Sequence, residues 1–296
     1  MTTTVHSPTA GRRRLRNALR RARDLAHLTQ EQVAAGMEWS LSKVIRIETG
    51  AVGISISDLR QLLQLYRIDD PEKVTELVEL ARVGRRRPWW TQYKDTVPGE
   101  YLSFVGLEDE STAVRCFCPA GMPGLLQTEE FAHAVVNASW WATWGDDPRS
   151  APPTQSEMAA RVEVRMTRQR EVLRRPVPPE ITAVLDEAVL WRQVGGRQVL
   201  RRQLLHLVGL ASKPHITIQV LPFTANVSLL LSPFIILEFA DPADTDVVYV
   251  EGSQEQTIFD GAEVATHRRV FERVRAASLS EEDSLELIAR VAGGLS

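Results

Sequence analysis

Cysteine is nearly absent from the 296-residue chain, which has only Cys116 and Cys118, one residue apart. A zinc-type metal site needs about four ligands, and no second cysteine pair and no HxxxH spacing accompanies these two. Alternation along a strand would place both thiols on one face. We therefore interpret them as buried core residues of a strand, in preference to a redox or metal-binding role, and expect neither a metal nor a cofactor.

Long hydrophobic runs are also lacking. The most apolar stretch, residues 227–237, contains serine and proline and is too short to span a bilayer. The first residues, MTTTVHSPTAGRRR, lack the apolar core of a signal peptide. These observations predict a cytoplasmic protein with no membrane partner.

No catalytic motif is evident. The sequence has no HExxH and no glycine-rich phosphate loop. The carboxylate pair Asp186 and Glu187 follows a predicted strand, but a helix cap or a salt bridge with Arg192 is the favoured interpretation. The Ala120–Gly121 bond lacks a suitably placed serine and lysine for self-cleavage. We expect a protein that is not an enzyme, and keep as the alternative an enzyme with an appended DNA-binding module.

Charge of the two signs is unevenly distributed. Residues 1–88 carry 16 Lys and Arg against 10 Asp and Glu, a net charge of +6, and the remainder carries a net charge of −9. Such asymmetry indicates an end that binds nucleic acid and an end with a different role.

Residues 29–50 show the pattern of two short helices joined by a tight turn. Thr29 and Gln32 have the spacing of a capping box at the start of the first helix. Ser40 is placed to cap the second helix.

The second helix of this pair is amphipathic. Val44 and Ile47 fall on one face, and Gly50 is placed to end the helix. The other face carries polar and cationic side chains, namely Ser42, Lys43 and Arg46. An apolar back and a front of hydrogen-bond donors are typical of a helix that reads the major groove.

From residue 28 to residue 50 the chain resembles, without a gap, the helix-turn-helix of λ-repressor-like (Xre-family) transcriptional regulators. Their usual form is LTQ-E-x-[LV]-A…S-x-S-x-[IV]-x-R-[IL]-E-x-G. The chain departs from it at Glu38, where the family favours glycine in the turn. A residue other than glycine in a left-handed turn costs roughly 1 kcal/mol, so we expect a slightly altered turn. An ordinary helical pair of a bundle is the alternative interpretation.

The resemblance implies DNA contacts by position in the motif. Base edges and nearby phosphates would be met by Ser40, Ser42, Lys43 and Arg46. Gln30 would bind a backbone phosphate, and Leu41 would touch a thymine methyl group. Glu48 is expected to hold a basic residue or a helix end and not to contact DNA.

The preceding segment, residues 11–28, has helical spacing of its apolar residues and an almost wholly cationic polar face. Contact with a phosphate backbone would relieve the repulsion between its arginines. We therefore assign Arg12, Arg13 and Arg14 to DNA binding, with a solvated face as the alternative.

Two further helices complete the expected N-terminal domain. Ser57 is expected to cap the fourth, and Asp70 with Pro71 should begin the fifth. The predicted organisation is a disordered tail over 1–10, a five-helix DNA-binding domain over 11–84 and a linker over 85–106. Within the linker, Trp89 and Trp90 are expected to pack on a neighbouring domain, with nucleotide stacking as the alternative.

Residues 107–296 show an α/β rhythm. Strands are predicted at 111–118, 181–185, 216–221, 234–239 and 247–251, and helices at 157–173, 197–210, 262–277 and 280–291. The 181–221 portion suits a crossover between parallel strands, and the last two strands suit a hairpin. The fold class is therefore α+β: a five-helix bundle followed by a mixed α/β domain with a small sheet.

This half also resembles a known family. The segments PGLLQTEEFAHAVV, VLDEAVLWRQVGG, ITIQVLPF and FIILEF…VVYVEG, in this order, are similar to the C-terminal domain of unknown function of actinobacterial Xre-type regulators. Those regulators are called antitoxin-like, and many bind a small acidic protein encoded nearby. The resemblance implies a DNA-binding regulator of transcription that is governed by a small partner protein or effector. Because one bundle offers little contact area, we expect it to bind double-stranded DNA as a homodimer on a two-fold operator.

Overall fold

The computed structural model describes residues 8–49, 52–85, 88–144, 154–227, 232–240, 244–251 and 256–295. The chain forms two units, Met1–Thr91 with Asp241–Asp244, and Gln92–Ala240 with Thr245–Ser296. The first is helical and the second combines helices with a mixed sheet, which confirms the α+β class. None of the helices in the described ranges has both the length and the apolar character needed to cross a bilayer.

Five helices make up the first unit. They are α1 (Pro8–Leu25), α2 (Gln30–Gly36), α3 (Leu41–Glu48), α4 (Ile56–Leu65) and α5 (Pro71–Gly84). Helix α1 begins inside the segment expected to be a tail, of which residues 1–7 lie outside the described residues. The apolar stripes of all five helices meet in one core, which includes the fully buried Leu19, Val33 and Leu59.

The expected caps are present with one exception. Thr29 and Gln32 form the capping box of α2, and the Ser40 hydroxyl accepts from the backbone N–H of Lys43. Asp70 caps α5 and Pro71 is its first residue. Ser57 was the wrong residue for α4: Ser55 accepts from the backbone N–H of Asp58 at 2.9 Å, because the helix begins two residues earlier than expected.

Three helices of this unit end on a residue with positive φ that is not glycine. These residues are His27, Glu38 and Arg67, with φ of 56°, 54° and 58°. Each donates its N–H to the carbonyl three residues back, and the next N–H along the chain reaches five residues back. This is the Schellman pattern. Glu38 therefore adopts the left-handed conformation for which glycine is better suited.

The second unit contains seven helices and six strands in the described ranges. The helices are α6 (Gly99–Glu108), α7 (Glu129–Trp144), α8 (Gln155–Leu173), α9 (Ala188–Trp191), α10 (Arg197–Leu210), α11 (Ala262–Ala276) and α12 (Glu281–Gly294). The strands are β1 (Ala113–Cys118), β2 (Glu180–Asp186), β3 (Ile216–Leu221), β4 (Phe234–Glu238), β5 (Val247–Glu251) and β6 (Gln256–Asp260).

The strands form one sheet in the order β3-β2-β1-β4-β5-β6. β1, β2 and β3 are parallel neighbours, whereas β4, β5 and β6 run antiparallel. The expected parallel β2–β3 pair and the β4–β5 hairpin are confirmed. Strand β6 was not predicted, because its sequence, QTIFD, has only two apolar residues and they are adjacent, so it shows no alternation. Along the chain, β2 and β3 are added on one side of β1, and β4, β5 and β6 are then added on its other side.

A buried ion pair joins two helices of the second unit. Glu108, at the end of α6, is fully buried and accepts from both Nε and Nη2 of Arg168 on α8. Burial alone would lower the pKa of Arg168, but the charge of Glu108 and its hydrogen bonds raise it well above the ordinary value. Phe104 of α6 also stacks on Tyr249 of β5, with ring centroids 4.0 Å apart. Helix α6, most of which we had expected in the linker, is therefore part of the second unit.

The two cysteines lie on β1 and both are buried, as expected for core residues. Trp89 and Trp90 open a short 3-10 helix and form an edge-to-face pair with centroids 5.5 Å apart. Trp90 is buried.

The turn between α2 and α3 yields the first testable prediction. Glu38→Gly should raise the free energy of unfolding of the first unit by about 0.5–1 kcal/mol, because relief of the left-handed strain exceeds the entropy that glycine loses on folding. Hydrogen exchange of the slowest amides of α2 and α3 in the full chain would measure the change. Glu31→Gly, at a helical position of α2, is the matched control and should destabilise by about 1 kcal/mol. Equal destabilisation by both substitutions would contradict the argument.

Candidate nucleic-acid interface

Helices α2 and α3 form a helix-turn-helix. Val33 and Ala34 of α2, and Val44 and Ile47 of α3, are buried in the core of the first unit. The turn at Glu38 is closed by the bond from the Trp39 N–H to the Ala34 carbonyl, at 2.8 Å. Both helices are therefore fixed to the bundle by their apolar faces. Helix α3 ends at Glu48, with Thr49 as its C-cap. Gly50, at which we had predicted its end, lies outside the described residues.

One carboxylate connects three helices. Glu48, the last residue of α3, is only 2% exposed. Its Oε1 accepts from Arg23 Nε on α1 and its Oε2 accepts from Gln30 Nε2 on α2, each at 2.7 Å. The hydrogen bond that Arg23 donates to Glu48 is the main reason that the pKa of Arg23 is raised. Glu48 therefore has the structural role that we expected of it.

Tyr66, the C-cap of α4, lies in the same electrostatic environment. Its side chain is buried in the core of the unit. Burial raises the pKa of the Tyr66 hydroxyl far above its usual value, and the negative charge of Glu48 raises it further. Tyr66 is therefore uncharged at physiological pH, and Arg23 is the cation that balances Glu48.

The opposite face of α3 is open to solvent. Ser40, Ser42 and Arg46 are exposed, and Leu41 and Ile45 are exposed by 38% and 39%. The Ser40 hydroxyl accepts from a backbone N–H, so its own proton stays available for a further bond. The outer face thus offers three hydrogen-bonding side chains beside an apolar strip of two residues.

Lys43 is held at the edge of this face. Its Nζ lies 3.1 Å from Asp58 Oδ2 on α4 and 3.8 Å from the centroid of the Trp39 ring. The side chain keeps 40% exposure. An ion pair of this exposure contributes at most about 1 kcal/mol, so an anion that approaches Lys43 competes with a weak internal partner.

The other predicted contact residues have partners inside the first unit. Gln30 donates one of its two amide hydrogens to Glu48, so the second can bind another acceptor. Arg12 Nε donates to the Gly84 carbonyl at 2.6 Å. Arg13 and Arg14 both pair with the buried Asp244, the nearer contact being 2.6 Å from Arg14. The contacts of these four residues with DNA stay predictions.

Two residues of the interface had escaped the sequence analysis. Ile45 follows the buried Val44, and its exposure could have been inferred from its spacing of four residues from Leu41. Trp39 precedes the cap of α3, and only the tertiary structure shows that its ring supports Lys43.

The carboxylates Asp186 and Glu187 each accept a hydrogen bond from a backbone N–H. Asp186 Oδ1 accepts from the Ala188 N–H at the start of α9, and Glu187 Oε2 accepts from the Phe223 N–H. The N-cap of α9 is Glu187, whose side chain makes no cap hydrogen bond, so the helix cap that we had favoured for this pair is not formed. In the described ranges, no group of three or more His, Cys, Asp or Glu residues is placed to hold a metal ion.

An exposed polar helix held outward by a buried apolar back is the arrangement found in helix-turn-helix DNA-binding domains. Comparison with known families agrees, since residues 14–77 match the model described as a helix-turn-helix domain. Residues 101–290, more than half of the chain, match the model described as Domain of unknown function (DUF5753), and the chain belongs to that family. No curated protein and no solved structure matches the chain.

The Glu48 cluster yields a second prediction. Arg23→Met should lower the free energy of unfolding of the first unit by about 3 kcal/mol, because it leaves the Glu48 carboxylate buried without its cation. The measurement is hydrogen exchange of the slowest amides of α1–α5 in the full chain.

Arg82→Met is the matched control for this prediction. Arg82 is exposed and pairs with Glu79 on its own helix, so its replacement should change the unfolding free energy by less than about 0.5 kcal/mol. Similar effects of the two substitutions would show that Glu48 does not depend on Arg23.

Proposed function

We propose that this protein is a sequence-specific transcriptional regulator of the λ-repressor-like, Xre type. Helix α3 enters the major groove of an operator, and the second unit receives a signal. The observation that carries this proposal is the exposure of Ser40, Ser42 and Arg46 on a helix whose other face is fully packed. A helix of this kind presents donors to base edges while the bundle fixes its direction.

Each exposed residue of α3 has a role that its chemistry suits. Arg46 binds guanine or a phosphate, because its guanidinium presents a fixed fork of donors. Ser40 and Ser42 bind base edges or phosphates near the start of the helix. Leu41 and Ile45 lie four residues apart and contact thymine methyl groups.

The contacts with phosphates come from the edges of the interface. Lys43 exchanges its half-buried partner Asp58 for a phosphate, and Gln30 donates its remaining amide hydrogen to the phosphate backbone. Arg12, Arg13 and Arg14 supply positive charge on α1. Because these three arginines already have partners inside the protein, they contribute to DNA binding through long-range attraction of the phosphates. We assign base recognition to α3 alone.

The second unit acts as the regulatory part of an antitoxin-like protein. It binds a small partner protein, such as a small acidic protein encoded nearby, or a small effector. The protein works in the cytoplasm and is not an enzyme. The alternative, an enzyme with a DNA-binding module, would need titratable groups converging at a cavity, and the carboxylates Asp186 and Glu187 are instead bonded to backbone N–H groups.

The role of α3 is tested with an operator selected from a random duplex library. Arg46→Ala should weaken operator binding by about 1–3 kcal/mol and relax the preference at one base pair. Gel-shift titration at fixed salt is the measurement.

Arg82→Ala is the control for this experiment, since it removes the same charge from an exposed position on α5. It should reduce the affinity by much less and leave the sequence preference unchanged. Unaltered affinity and specificity of the Arg46 variant would refute the proposed role of α3.

The operator should be two-fold symmetric and bound by a dimer, because one bundle presents a single short helix to one half-site. We expect half-sites about 34 Å apart, which is one turn of duplex. Sedimentation of the complex should return two chains per operator, and insertion of half a turn between the half-sites should remove most of the affinity. A single chain bound at full affinity would contradict the dimer.

A further inference from the structure

The second unit contains a cavity of about 590 Å³, a size typical of sites for small organic ligands. It opens beyond the carboxyl ends of β1 and β2, next to the first residues of β4. This is the place where the strand order reverses, because β2 lies on one side of β1 and β4 lies on the other. In α/β sheets, ligands bind at such switch points.

The walls of the cavity are rich in aromatic side chains. Six rings line it: Tyr101, Phe104, Phe117, Phe131, Phe234 and Tyr249. They come from three strands and two helices or the segments next to them, so the tertiary fold assembles them from distant parts of the chain. Aromatic walls of this kind favour a planar, apolar ligand body.

The charged residues that line the cavity are arginines. Arg168 is balanced by Glu108, which lies behind it and takes two of its donors. Arg165 donates to the carbonyl of Arg161 on its own helix, and Arg192 is exposed after α9. The described lining residues include no aspartate or glutamate. Arg165 and Arg192 therefore give the cavity a net positive charge that a ligand can neutralise.

A buried acceptor also lines the cavity. Gln127 is only 5% exposed, and its Nε2 donates to the Met122 carbonyl at 2.8 Å. Its Oε1 has no hydrogen-bond partner among the described residues. Burial of such an oxygen without a donor is unfavourable, so a ligand that supplies an N–H or O–H would be stabilised there.

We infer that this cavity binds a small organic anion, with a planar apolar body, an acidic group that meets Arg165 and Arg192, and a hydrogen-bond donor for Gln127. The inference deepens the proposed function, on which its regulatory meaning rests, by naming the chemical class of the effector. Glu108 is a positioning residue in this site, because it holds Arg168 against Tyr101 and Phe104 and absorbs the charge of that arginine.

The test uses a matched pair of fluorescent probes with the full chain and no DNA. The anion 8-anilinonaphthalene-1-sulfonate has a planar body, an acidic group and an N–H, and N-phenyl-1-naphthylamine has the same body without the acidic group. We expect the anionic probe to bind one site per chain, at least about tenfold more tightly than the neutral probe, because charge-assisted hydrogen bonds are the stronger ones.

Two double variants locate the site. Arg165→Met with Arg192→Met should weaken binding of the anionic probe by about tenfold or more and leave the neutral probe within about twofold. Arg170→Met with Arg174→Met is the control, because both arginines are exposed in the same unit and neither lines the cavity. Arg165→Lys with Arg192→Lys should recover part of the affinity.

Three results would overturn the inference: binding without saturation at one site per chain, equal affinities for the two probes, or equal losses in the two Met double variants. The titration contains no DNA, so its failure leaves operator recognition by α3 untouched. Conversely, loss of operator recognition leaves the binding of the probe untouched.

Discussion

The carboxylate of Glu48 is the point on which the DNA-binding unit depends. It ends α3, is nearly sealed from solvent, and receives hydrogen bonds from α1 and α2. An ionised carboxylate in such a place is costly unless a cation and further donors compensate it. Because Arg23 and Gln30 provide these, the three helices have one relative arrangement, and the outer face of α3 points away from the core.

The second unit also contains a buried ion pair between a glutamate and an arginine, Glu108 and Arg168. Glu108 neutralises Arg168 at the wall of an aromatic cavity, so that one buried arginine is held in place without adding to the charge that a ligand meets. In each unit, a buried glutamate pairs with an arginine from another helix. The pair fixes the outer face of α3 in the first unit and a wall of the cavity in the second. Such pairs contribute little net stability compared with an apolar core, but they are unfavourable to break and therefore select one arrangement.

Much of the fold followed from local patterns. The capping box at Thr29, the cap at Ser40 and the proline at the start of α5 are signals within a few residues, and all three were correct. Ser57 was wrong because Ser55 offers the same chemistry two residues earlier. Strand β6 was missed because Gln256–Asp260 has only two apolar residues, which are adjacent and do not alternate, and the strand is recognised only by its pairing with β5.

The sequence by itself determined that an amphipathic helix with a Ser, Lys and Arg front lies near Ser40, that the N-terminal part is net basic and the remainder net acidic, and that the chain is α+β. These are properties of spacing and charge within short segments. Only the tertiary structure decided that Arg12, Arg13 and Arg14 have partners inside the protein and that Ile45 is exposed beside Leu41. It also decided that six rings and three arginines from distant segments line one cavity. The physical reason is that burial and pairing depend on segments far apart in the chain, which no local pattern specifies.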